Sequence, residues 1–137
     1  MSLFPTSADD LLIAAYQKQG RTLDDLPYTA EFERLHEAVE GPGDQASRRE
    51  LFHRLHNLRK AGKLPRLGRA ATAPPAIDPT LQPALTALVE QAVDKLSLRD
   101  RLPYTPQFDD IVQQFNAQAG LTLPPHDVWR IIAKLAK

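Results

Sequence analysis

The sequence contains no cysteine. That one absence excludes disulfides, thiolate metal sites and a cysteine nucleophile together. No run of about 18 or more apolar residues is present, so no membrane-spanning helix is expected. The N-terminus lacks the basic stretch and apolar core of a secretory signal. Also missing are a glycine-rich phosphate loop after a strand, a Gly-x-Ser-x-Gly elbow and a dinucleotide fingerprint. An enzyme, a cofactor and a membrane partner are therefore not expected, and the default compartment is the reducing cytoplasm.

The 137 residues are 42% apolar and 25% charged, the composition of a globular chain long enough for one ordinary domain or two very small ones. The formal net charge is zero, but the charges are segregated. Residues 1–46 carry nine acids against three bases, a balance of −6. Residues 47–69 carry eight bases against Glu50 alone, a balance of +7. Residues 70–137 stand at −1. Such segregation can create a local field that the global sum conceals.

The segment Leu26-Pro27-Tyr28-Thr29, with Phe32 beyond it, recurs as Leu102-Pro103-Tyr104-Thr105 with Phe108. At the same offset Leu12 and Ile13 match Leu88 and Val89, and Leu35 and Val39 match Ile111 and Phe115. After one inserted residue, Glu50-Leu51-Phe52 matches Asp127-Val128-Trp129, and Leu55, Leu58 and Lys60 match Ile132, Leu135 and Lys137. Apolar positions recurring in one order predict a tandem duplication.

Each copy carries three helical stretches. Ser7 is placed to cap a helix over about 8–19, ending at Gly20, and Thr29 to cap a second that stops before Gly41-Pro42-Gly43. Ser47-Arg48-Arg49-Glu50 reads as a capping box opening the third helix, which runs to about Ala61. In the other copy Asp78-Pro79 opens a helix to about Leu96. Thr105-Pro106 opens the next, ending at Gly120, and Pro124-Pro125 the last. Residues 70–77, Ala- and Pro-rich, read as an extended linker between unit 1–69 and unit 78–137. Whether the units share one core or sit as two beads stays open at this level.

The third helix is two-faced. With Arg49 at zero on a wheel of about 100° per residue, His53, His56 and Lys60 fall within about 40° of it, and Asn57 and Arg54 to one side. Leu51, Leu55 and Leu58 lie opposite, with Phe52 at the edge. Beyond Gly62 come Lys63, Leu64, Arg66, Leu67, Gly68 and Arg69, an alternation that reads as the start of a short hairpin. His53 and His56, with Glu50 one turn earlier, share a metal-like spacing. Zinc needs three or four ligands, and no cysteine or third clustered histidine is visible, so no metal is expected.

Three helices, the last basic, followed by a Gly-Lys-Leu-x-Arg stretch, resemble the winged helix-turn-helix class over Ser47–Arg69. The resemblance implies an all-α fold, or a mostly α fold with a β-hairpin wing, built as two three-helix units. It further implies that Arg49, His53, His56, Asn57 and Lys60 face the major groove of DNA, while Arg54, Lys63, Arg66 and Arg69 meet phosphate. RNA is the alternative nucleic acid. The connection from Glu40 to Ala46 is longer than the three or four residues usual for the motif.

In the second copy the matching front positions are His126, Arg130, Ala133, Lys134 and Lys137, with Ile131 in place of Arg54. Most of the charge is gone, and an exposed Ile131 would suit a protein partner. The rival expectation is accordingly a tandem helical interaction module that binds no nucleic acid.

Overall fold

A computed structural model describes residues 8–67 and 73–136. Among these the chain is helical or irregular, with no strand. It divides into two compact units, Met1–Ala70 and Ala71–Lys137. No helix among the described residues is long and apolar enough to cross a membrane.

The first unit is built from α1 (Ala8–Gln19), a 3₁₀ turn at Leu23–Asp25, α2 (Ala30–Glu40) and α3 (Gln45–Lys60). Leu12 and Tyr16, one turn apart on α1, are buried, as are Phe32, Leu35 and His36 on α2. These i, i+3 and i+4 spacings put each set on one helix face, and α1 packs along α2. From α3, Leu51, Phe52, Leu55 and Leu58 close the core. The expected cap at Ser7 lies outside the described residues.

The second unit comprises α4 (Gln82–Val93), α5 (Pro106–Ala119) and α6 (Pro125–Leu135). Short 3₁₀ turns at Pro79–Leu81 and Leu96–Arg101 flank α4. Asp78 accepts from the Thr80 amide at 2.9 Å, opening the first turn. The helix expected to reach about Leu96 ends at Val93, because Asp94 leaves the helical path at φ 73° and the Lys95 amide turns back onto Val93 O at 2.9 Å.

Both units contain the same local constellation. The Thr29 hydroxyl donates to Leu26 O at 2.6 Å and accepts from the Phe32 amide at 3.1 Å. Thr105 does likewise with Leu102 O at 2.6 Å and Phe108 at 3.2 Å. The tyrosine before each threonine is left-handed, at φ 65° for Tyr28 and 64° for Tyr104. Phe32 meets Phe52 edge-to-face at 6.4 Å, and Phe108 meets Trp129 edge-to-face at the same separation. A non-glycine residue held left-handed costs about 1–2 kcal/mol, so each turn is over-determined by its buried flanks.

Two sequence expectations about α3 are corrected. Its N-cap is Asp44, which accepts from the Ser47 amide at 3.0 Å, and not a Ser47–Glu50 capping box. Aspartate caps as well as serine does, and starting at Gln45 frees the Ser47 hydroxyl for another partner. The connection from α2 to α3 is therefore Gly41–Asp44, within the turn length of the helix-turn-helix motif. The second correction concerns the wing. Gly62 (φ 72°) donates to Arg59 O at 3.0 Å and Lys63 to Leu58 O at 2.9 Å, the paired bonds of a Schellman cap. Gly62 ends a helix there and does not turn a hairpin, and residues 61–67 contain no strand. Gly68 and Arg69, the end of the expected hairpin stretch, lie outside the described residues.

Candidate nucleic-acid interface

The face of α3 that meets solvent is set by what the helix buries. Phe52 is fully buried together with Leu51 and Leu55, so the buried arc centres near Leu55 and Phe52 and not opposite Arg49. This rotation exposes Arg49, His53, Asn57 and Lys60. It also draws His56 inward: that ring is only 3% exposed, packs edge-to-face on Phe52 at 4.6 Å, and has Nδ1 3.3 Å from an Arg59 nitrogen. His56, expected to face a groove, is a core residue. An apolar stripe centred on the leucines alone leaves His56 outside it, and the buried Phe52 moves the centre far enough to claim it.

The cations divide into two sets. Arg48 grips Glu33 of α2 through Nη2 at 2.8 Å and Nε at 3.0 Å, and also bonds Gly43 O at 2.6 Å. Arg54, half-buried, pairs with Glu40 at 3.0 Å and lies 3.8 Å from Asp9. Arg59 lies 3.6 Å from Asp24, beside Tyr16, whose hydroxyl is held in its neutral form by burial against the opposing pull of Arg59. These three arginines tie α3 to the acid-rich first half of the unit. Arg54 is thereby occupied with Glu40, where the sequence expectation gave it a phosphate.

Arg49, Lys60, Lys63 and Arg66 form the second set. All four are exposed, and none makes an ion pair with a described residue. The first and last span α3 and the segment past its Schellman cap, with exposed His53 and Asn57 between them on the helix. Arg69 lies outside the described residues. Sequence reasoning treated the eight bases of 47–69 as one field and did not assign Arg48 or Arg59. The acid surplus of residues 1–46 was the available signal that part of that field is consumed internally.

The turn feeding α3 is fixed by a buried polar contact. His36 on α2 is 1% exposed, and its Nε2 lies 2.7 Å from the Ser47 Oγ. The Ser47 hydroxyl also donates to Asp44 O at 3.0 Å. A Cβ on Gly43 would stand 2.2 Å from the Ser47 Oγ and 2.8 Å from His36 Cε1. Only glycine fits over this pair.

The corresponding face of α6 differs. Arg130 is 9% exposed and donates to Ala73 O at 3.3 Å, so the first residues of the second unit lie over that side of the helix. Ala133 and Ile131 are buried, and α6 is packed by α4, α5 and the 3₁₀ turn Leu96–Arg101. Ile131, expected to be an exposed partner contact, is a core residue because three neighbours enclose its helix. His126 is half-buried, Lys134 is exposed, and Lys137 lies outside the described residues. Among the described residues no group of three or more His, Asp or Glu side chains is arranged to hold a metal ion.

Comparison with known protein families, curated proteins and solved structures gives no match to this chain.

Proposed function

We propose that the chain is a non-enzymatic DNA-binding protein of helix-turn-helix type, acting through the first of two diverged three-helix copies. The observation that carries this reading is the division of cations on α3 and beyond it. Arg48, Arg54 and Arg59 are taken up by acids, whereas Arg49, Lys60, Lys63 and Arg66 are solvent-exposed and paired with no described residue. A protein that merely balanced its own acids would have little reason to leave four cations on one helix face and its continuation. In this reading Arg49, His53, Asn57 and Lys60 enter the major groove, and Lys63 and Arg66 meet the backbone from the segment after the cap. The four-residue turn Gly41–Asp44 supports the helix-turn-helix geometry. Shared threonine caps, left-handed tyrosines and edge-to-face ring pairs support descent of the two units from one.

The combined variant Arg49→Glu, Lys60→Glu, Arg66→Glu tests it in fluorescence anisotropy with duplex and single-stranded DNA and with RNA. Binding by the parent chain and its loss in the variant, with helicity unchanged, is the expected result. Preference for RNA over duplex would redirect the proposal to that nucleic acid.

The internal ion pairing of Arg48, Arg54 and Arg59 favours a second reading, a helical protein-interaction module. Under it, the same triple charge reversal leaves partner capture unaltered.

A further inference from the structure

We infer that two copies of this chain associate symmetrically through the outer face of α1, whose side-chain pattern is its own complement. Leu11 is 60% exposed, the one large apolar side chain so placed among the described residues. A singly exposed leucine is common on protein surfaces, but this one lies at the rim of a groove. Leu11 borders a groove of about 270 Å³ between α1 and α2, lined also by Ala15, Ala38 and Val39, with Glu40 and Arg54 on its wall.

The charges on α1 identify the occupant. Asp10, Ala14 and Lys18 are all exposed and follow one another at i, i+4 and i+8, so they form one stripe along the helix next to Leu11. Ala14 stands at the middle, with the acid and the base each about 6 Å along the axis to either side. If two copies of α1 cross antiparallel at Ala14, Asp10 of each meets Lys18 of the other, twice, by one two-fold axis. The small side chain at the crossing lets the axes approach to about 8 Å, and Leu11 of each copy is then covered by its partner. An isologous contact requires a patch that matches itself in this way.

The second unit shows that the fold does not demand the pattern. Seventy-six positions on, as Leu102 is from Leu26, the stripe and its leucine become Thr86, Glu90, Asp94 and Ala87. That helix has neither the protruding leucine nor opposite charges at its ends. The surface on α1 is thus an addition to a shared scaffold. The inference is independent of the nucleic-acid reading.

Sedimentation velocity of the full chain without nucleic acid, from low to high micromolar concentration, is the test. A concentration-dependent monomer–dimer equilibrium is expected. Leu11→Asp should raise the dimer Kd at least about tenfold with helicity unchanged, since Leu11 is already largely exposed. Asp10→Lys and Lys18→Asp should each weaken the dimer, and the double swap should recover most of the affinity because opposite charges face each other again. A monomer at every concentration, a dimer indifferent to Leu11→Asp, or a double swap no better than its single parents would each overturn the inference.

Discussion

The Nε2 of His36 lies 2.7 Å from the Oγ of Ser47, joining α2 to α3 across the turn that sets the angle of the candidate recognition helix. The contact is almost fully buried on the histidine side and roofed by Gly43. Gly43→Ala forces a methyl group into occupied space and should cost about 1–3 kcal/mol, the range for overpacking. Ser47→Ala leaves a buried imidazole nitrogen without this partner and should cost a similar amount. Urea denaturation of the two variants checks both, and a neutral Gly43→Ala would show that the turn can shift without penalty.

The two threonine caps should behave alike. Thr29→Ala and Thr105→Ala each remove a hydroxyl that caps a helix and donates to a buried carbonyl, in nearly identical geometry. Each substitution should cost about 1–2 kcal/mol, the upper half of the capping range, because both sites are buried. Thermal or urea unfolding measures the losses, and a large difference between them would show that equal geometry does not carry equal energy.

Stability should fall on mild acidification through Glu31. Burial alone would raise its pKa, but its own backbone amide and the guanidinium groups of Arg21 and Arg34 outweigh that and hold it below the usual carboxylate range. Arg21 is pushed the other way: burial works against its charge, and Asp25 and Glu31 more than compensate. A carboxylate whose folded pKa is depressed contributes fully above its unfolded value of about 4.3, and loses that contribution as pH drops through the folded value. The pair is partly exposed, so solvent screening limits the effect to at most about 1 kcal/mol. Glu31→Gln should flatten the pH dependence of the urea midpoint below about pH 5. An unchanged slope would remove Glu31 from the account.

Helix ends were well marked in the sequence, because a glycine at Gly41, Gly62 or Gly120 and a threonine at Thr29 or Thr105 act locally, through their own backbone neighbours. The basic third helix and most of its exposed face were legible for the same reason. What was not legible depends on tertiary packing. His56 and Arg49 stand close on the wheel, and only the depth at which Phe52 packs decides which is buried. Arg48 and Glu33 are fifteen residues apart, and nothing local says they pair. Gly62 followed by alternating Lys63, Leu64 and Arg66 suits both a hairpin and a Schellman cap, and the amide bonds of Gly62 and Lys63 decide for the cap. Asp44 and Ser47 are both good caps, and His36, distant in sequence, claims the serine.

Removing charge from Arg49 and from Arg54 should have opposite signatures. Arg54→Gln breaks the pairing with Glu40 and should lower stability by up to about 1 kcal/mol, with little change in DNA affinity. Arg49→Gln should leave unfolding unchanged and weaken binding several-fold, since that side chain pairs with no described residue. Urea melts and anisotropy titrations on the same two proteins check the contrast. Equal effects on both readouts would erase the distinction between tied and open cations.

Under the proposed function, four exposed cations, Arg49, Lys60, Lys63 and Arg66, hold the chain on phosphate-bearing nucleic acid. The most direct measurement of this is the affinity for a DNA duplex as a function of salt. With two to four phosphates neutralised, from Lys63 and Arg66 alone to all four cations, log affinity should fall with log salt at a slope of about −1.8 to −3.6, or roughly ten- to a hundredfold between about 50 and 200 mM. Failure to bind any duplex or single strand at low salt, or an affinity indifferent to salt, would contradict the account.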